Sequence, residues 1–220
     1  MIAGVIEKIQ ETVDFPLIVV DDSSTDNTIT VARQTGATVI PLSVRLGAWG
    51  ATQTGLRYAL RHGCDVVICM DADGQHEAEF LPELLGPVIR SDTDVAIGAC
   101  TGRGSALRKI AWVLMKRTSG LALEDVTSGF RVYNQNTLRA LVSWQATLLD
   151  YQDVGVLLLL QSRGFRIADV RVDMRPRKNG KSRIFGSWLM VLYYMVHTLV
   201  LGLSKRRFAV RYKTSRTVNS

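Results

Sequence analysis

Residues 65–76 read Asp65-Val66-Val67-Ile68-Cys69-Met70-Asp71-Ala72-Asp73-Gly74-Gln75-His76: five apolar side chains in series, then a cluster of carboxylates, glycine and polar groups. A short apolar run closed by Asp and Gly marks a strand leaving a core for a loop, so residues 65–70 are expected to be a strand with the acidic cluster at its carboxyl end. Downstream, residues 79–89 are expected to be a helix and residues 94–99 another strand. Upstream, residues 1–13 space Ile2, Val5, Ile6, Ile9 and Val13 at helical intervals and carry Glu7, Lys8 and Glu11, which predicts an amphipathic helix and not a signal peptide. Residues 15–20 form an apolar run that predicts a strand buried on both faces, ending at Asp21-Asp22. Ser23 to Asn27 supply turn and cap chemistry for a helix through Val31 and Arg33 that stops at Gly36, and residues 37–42 are the next strand. The small residues between Leu46 and Leu56 predict a closely packed loop that runs into a helix ending at Gly63. Strand and helix alternate, so the expected fold is a layered α/β structure with a largely parallel sheet. Ligands bind such sheets beyond the carboxyl ends of the strands. Both Asp21-Asp22 and Asp71-Ala72-Asp73 fall there.

Two carboxylates at i and i+2 on a loop leaving a buried strand can turn toward one hard cation and leave positions open for phosphate oxygens. A solvated turn is the commoner use of Asp-x-Asp. An EF-hand is excluded, because its glycine should be the sixth loop residue, whereas Gly74 is the fourth with Asp71 counted as the first, and a strand precedes it. A phosphatase with a nucleophilic aspartate fits poorly: Gln75 stands where a Thr or Val is expected, and no clear acidic pair follows.

Three ordered motifs decide between these readings: Val19-Val20-Asp21-Asp22-Ser23-Ser24-Thr25-Asp26-Asn27-Thr28, then Asp71-Ala72-Asp73-Gly74-Gln75-His76, then Asp125-Val126-Thr127-Ser128-Gly129-Phe130-Arg131. Together they resemble the family-2 glycosyltransferases of GT-A fold, and among them the polyprenyl-phosphate and dolichyl-phosphate sugar transferases, mannosyl or glucosyl. The resemblance implies a Rossmann-like three-layer sandwich with a mostly parallel central sheet. It implies that Asp22, with Asp21 beside it, contacts the nucleotide, and that Asp71 and Asp73 hold Mg²⁺ or Mn²⁺ and the diphosphate. Family members open with a strand ending in Pro-x-Tyr-Asn-Glu that has no counterpart here. Residues 1–184 are therefore expected to be a GT-A domain shortened at its start, followed by a membrane-interfacial helix at 185–204 and a basic tail at 205–220.

Acceptor-side residues follow from the same resemblance. Ser128, Gly129 and Arg131 look like the family's acceptor loop, where amides, a hydroxyl and an arginine gather around an anion. Arg103 and Arg108 match its acceptor-phosphate arginines, and Arg177, Lys181, Ser182 and Arg183 its basic loop over the diphosphate or the lipid phosphate. The chemistry implied is a single inverting displacement that moves a hexose from a nucleotide-diphosphate sugar to a polyprenyl phosphate. Asp153 stands near the family's general-base position. A lipid phosphate is already ionised and needs no base, which leaves Asp153 to orient the sugar, pair with an arginine, or favour the amino end of a helix over residues 154–160. A glycan-extending transferase and a non-catalytic membrane-associated remnant are the alternatives.

Net charge is +7, and the excess lies mainly beyond residue 100. No nucleic-acid recognition pattern accompanies it, so anionic lipid or phosphorylated substrates are the expected partners. Cys64, Cys69 and Cys100 are odd in number and sit in apolar runs, which predicts reduced thiols. Residues 187–203 are apolar, and a helix of that length reaches about 25 Å, short of the ~30 Å hydrocarbon core. Trp188, Tyr193 and Tyr194 at one end and Lys205-Arg206-Arg207 at the other suggest a helix lying in the cytoplasmic leaflet, a core helix or a homo-oligomer contact being the alternatives.

Overall fold

The structure, a computed structural model, describes residues 1–100, 123–149 and 154–175. In chain order they form α1 (Ile2–Thr12), β1 (Ile18–Asp21), α2 (Thr28–Gln34), β2 (Thr38–Pro41), α3 (Gly47–Arg61), β3 (Val66–Cys69), a 3₁₀ turn (Ala78–Phe80), α4 (Leu81–Ile89), β4 (Val95–Ala99), β5 (Arg131–Asn134), α5 (Gln135–Leu141), α6 (Trp144–Thr147), α7 (Val154–Ser162) and β6 (Ile167–Arg171). The expected 185–204 helix and 205–220 tail lie outside the described residues.

Two sheets carry these strands. β1 and β2 pair in parallel. The other sheet runs β3-β5-β4-β6. β5 is antiparallel to β3 and β4, and β6 is parallel to β4, so β3, β4 and β6 share one direction and β5 alone runs against them. The expected mostly parallel α/β sheet is present.

Period-two alternation sends side chains to opposite faces of the larger sheet. Val95, Ile97 and Tyr133 meet α3, α5 and α7 through Leu56, Leu138, Leu141, Leu157 and Leu160. Ala96, Val132 and Phe130 meet α4 through Leu81, Leu84, Leu85 and Val88. That makes three layers. α7 has apolar residues all round and every position from Val154 to Leu160 is buried, as a helix enclosed by the core should be. A smaller cluster of Ile6, Ala32, Ala37, Val19 and Val39 ties α1 and α2 to β1 and β2.

Some expected boundaries moved. The first strand starts at Ile18, not residue 15, and its first three residues are only half-buried rather than covered on both faces. Phe15 is exposed. The small-residue segment is helical from Gly47, because Asp22 caps that helix from a distance, a partner no local pattern reveals. The helix expected at 79–89 begins as a 3₁₀ turn, and Pro82 in the first turn of α4 suits a position whose N–H has no intrahelical partner.

Candidate active site

The carboxyl end of β3 carries the acidic motif. Asp73 Oδ1 accepts the Gln75 N–H at 3.0 Å, and Gly74 between them has φ +73°, a left-handed turn that glycine adopts at least cost. This folds the loop back so that Gln75 and His76 become buried while the Asp71 side chain stays about half-exposed.

Asp71 meets a loop 58 positions later in the chain. A Cβ placed on Gly129 would lie 2.7 Å from Asp71 Oδ2 and 2.9 Å from Oδ1, so the carboxylate rests on bare backbone that any other residue would obstruct. On another side His76 Nε2 lies 3.4 Å from Asp71 Oδ2. His76 packs on Phe130 with ring centroids 5.1 Å apart.

The loop beneath Asp71 is built from its own polar groups. Asp125, buried, accepts from the Thr127 N–H at 3.0 Å and from its hydroxyl at 2.8 Å. Ser128 is buried and its hydroxyl accepts the Phe130 N–H at 3.2 Å. Glu124 N–H donates to Asp169 Oδ2 at 2.6 Å, which pins the loop to β6. Arg131, expected to bind the acceptor phosphate, is fully buried; its Nε donates to the Ser128 carbonyl at 2.7 Å and Nη2 to the Val126 carbonyl at 2.8 Å. As the first residue of β5, paired with Cys69, it points along the core face of the sheet, and its guanidinium shapes the loop from behind.

The other acidic pair serves neighbouring backbone. Asp21 is buried and accepts the Ser24 N–H at 2.9 Å. Asp22 accepts the Leu46 N–H at 2.6 Å and the Gly47 N–H at 3.0 Å, which places its charge at the amino end of α3.

Beyond the motif, the Arg175 N–H donates to the Gln75 carbonyl at 2.9 Å, His76 makes an isolated antiparallel bridge with Met174, and the Arg175 guanidinium pairs with Glu77. The root of the basic segment 175–183 is thereby fastened to the acidic motif. Arg103, Arg108, Asp153, Arg177, Lys181, Ser182 and Arg183 lie outside the described residues.

Burial pushes the Cys69 thiol up to about 12, with Arg131 opposing and Asp71 reinforcing the shift, so this cysteine stays protonated and is no nucleophile at neutral pH. Among the described residues no three His, Cys, Asp or Glu side chains converge as a metal cage. Two hard carboxylates on one exposed turn, one of them cradled by a glycine, nonetheless suit Mg²⁺ or Mn²⁺ of the kind that takes most of its ligands from diphosphate and water.

Sequence reasoning carried His76 and Asp125 in its motifs without giving either a role of its own, and it passed over Glu77. Each is a polar residue in a turn with no periodic signal, and its role is set by a partner far along the chain or by burial.

Comparison with known proteins gives the family and the fold. The model described as "Glycosyl transferase family 2" matches residues 1–145. The undecaprenyl-phosphate mannosyltransferase of Micrococcus luteus is 32% identical over 189 residues, covering 77% of this chain and 76% of that protein. The polyprenol monophosphomannose synthase of Mycolicibacterium smegmatis is 28% identical over 188 residues, covering 78% and 71%. Among solved structures, glucosyl-3-phosphoglycerate synthase from Mycobacterium tuberculosis, in complex with Mn²⁺, UDP and glucosyl-3-phosphoglycerate, superposes with a TM-score of 0.69 at 24% identity, over 93% of this chain and 74% of that one. That likeness establishes the fold as GT-A.

Proposed function

The chain belongs to glycosyl transferase family 2, and from that premise we propose that it transfers a hexose, with inversion, from a nucleotide-diphosphate sugar to a polyprenyl phosphate at the cytoplasmic face of a membrane. One observation carries the reading: the Asp71 carboxylate rests on Gly129, so the metal-type motif and the loop expected to meet the acceptor form one site at the carboxyl end of the sheet. The relatives named above supply the acceptor class.

Asp71 and Asp73 would hold the divalent cation, which when bound supplies positive charge to the departing diphosphate. The chain's own residues do the rest. Gly74 and the Asp73 turn orient the two carboxylates, and the Ser128 and Gly129 amides beside Asp71 are proposed to meet the acceptor anion. Arg131 keeps that loop in shape from inside the core. Asp21 and Asp22 build the wall at the end of β1 where the nucleotide would lie, Asp22 by capping α3. A phosphate acceptor is largely ionised near neutral pH. No proton then has to be removed, so the proposed reaction calls for no general base. Arg103, Arg108, Arg177, Lys181, Ser182 and Arg183 are proposed to ring the two phosphates, Asp153 to orient the sugar, and residues 185–204 to hold the domain at the lipid surface. No helix among the described residues is long and apolar enough to cross a membrane.

The test is direct. Membranes containing the protein, given labelled nucleotide sugars with Mg²⁺ or Mn²⁺, should yield label extractable into organic solvent. EDTA and Asp73→Ala should each abolish it. No lipid-linked label across a panel of nucleotide sugars would overturn the proposal.

A further inference from the structure

We propose that His76 is a positioning residue that fixes the Asp71 carboxylate for cation binding, and that it does so from a place locked by the root of the basic segment. The proposal rests on Asp71 being a metal ligand, as put forward above.

His76 is 8% exposed, and its ring lies against Phe130, which is fully buried. Its Nδ1 is buried without a hydrogen-bond partner among the described residues. A buried imidazole is costly unless a polar atom is satisfied, and here Nε2 is the atom that finds one, in Asp71 Oδ2 at 3.4 Å. That contact requires the Nε2–H form. At this length it is a weak hydrogen bond, so it orients the carboxylate while leaving its charge to attract a cation.

The Gly129 backbone also bounds Asp71. Gly129 backs both carboxylate oxygens, and any side chain there would push them away. His76 is held in turn, because its backbone is bridged to Met174, the neighbouring Gln75 carbonyl accepts the Arg175 N–H, and Glu77 pairs with Arg175. A histidine packed against an apolar ring and fixed on both chain sides is a structural device for holding one torsion of one side chain. Hydrogen-bond partners of metal ligands commonly change metal affinity by ~10- to 100-fold when removed.

The experiment uses the full chain and Mn²⁺, with GDP and separately with UDP present, and reads free Mn²⁺ by EPR. His76→Phe keeps the ring and its packing but loses the donor, and should weaken Mn²⁺ binding about tenfold with the melting temperature nearly unchanged. His76→Gln, which restores a donor, should recover most of the affinity. Unaltered Mn²⁺ affinity in folded His76→Phe would overturn the proposal. Asp71→Asn separates the two readings: if it loses Mn²⁺ while His76→Phe does not, only the role of His76 fails, and if both bind normally, the metal assignment itself fails. Should His76→Phe not fold, imidazole ¹⁵N spectra of the unmodified protein decide. The Nε2–H signal of His76 should move as Mg²⁺ saturates while that of His62 stays, and an unmoved His76 signal refutes the idea.

Discussion

Aspartates stand at both ends of the larger sheet, and they are treated in opposite ways. Asp94, just before β4, accepts from the Arg166 N–H at 2.8 Å, Arg166 Nε and Nη2 at 3.2 Å, and Asn134 Nδ2 at 2.9 Å. Hydrogen bonding to Arg166 holds its carboxyl below the usual carboxylate range. Asp71, just after β3, keeps about half its side chain exposed, with the Gly129 backbone against its carboxylate and His76 Nε2 3.4 Å from Oδ2. β3 and β4 run the same way, so these are opposite ends of one sheet. A carboxylate saturated by donors stabilises the fold, and one left accessible in a shaped hollow can take a ligand.

Four substitutions sharpen or break this contrast. Asp71→Ala should reduce sugar transfer by about 10³-fold, as loss of a principal charge-stabilising group does, while chemical denaturation shows almost no change in stability. A large loss of stability would mean that Asp71 belongs with Asp94. Arg131→Met is the case in which the site end itself carries structure. It strips donors from the buried Val126 and Ser128 carbonyls and should cost roughly 3 kcal/mol in urea unfolding. Asp94→Ala should cost about 2 kcal/mol, with transfer per folded molecule unchanged. The sign with pH follows from the lowered carboxyl: the contribution of Asp94 is complete above its unfolded value near ~4 and is lost as pH falls through the folded value. Wild type should therefore lose stability below about pH 4 more steeply than Asp94→Ala. The smallest effect is expected for Asp22→Ala, about 1 kcal/mol from the lost cap on α3, measured by thermal melting.

Much of the fold was legible because burial leaves a periodic trace. The apolar runs ending at Val20 and Cys69 mark strands, and the spacing of Ile2, Ile6 and Ile9 marks α1. Boundaries slipped where the deciding contact was distant. α3 starts at Gly47 because of Asp22, and nothing between residues 46 and 56 encodes that partner. The antiparallel direction of β5 was equally hidden, since a four-residue strand reads the same either way.

The candidate site divides in the same manner. Asp71 and Asp73 are visible from residue type and order alone, because chemistry at a strand end needs hard oxygen ligands close together in sequence. Arg131 shows the limit of that reasoning. Its place after Ser128-Gly129 suggested a phosphate ligand, and no local pattern reveals that it is fully buried where β5 pairs with β3.

By itself the sequence determined the layered α/β architecture, the family, and the acidic motif at the end of β3, because hydrophobic periodicity and short motifs are local properties. Only the tertiary structure decided that Asp71 rests on Gly129, that His76 is buried behind it, and that Arg131 is buried and donates to the carbonyls of the loop. Those are contacts between segments far apart in the chain, and their geometry follows from how the sheet and its loops pack.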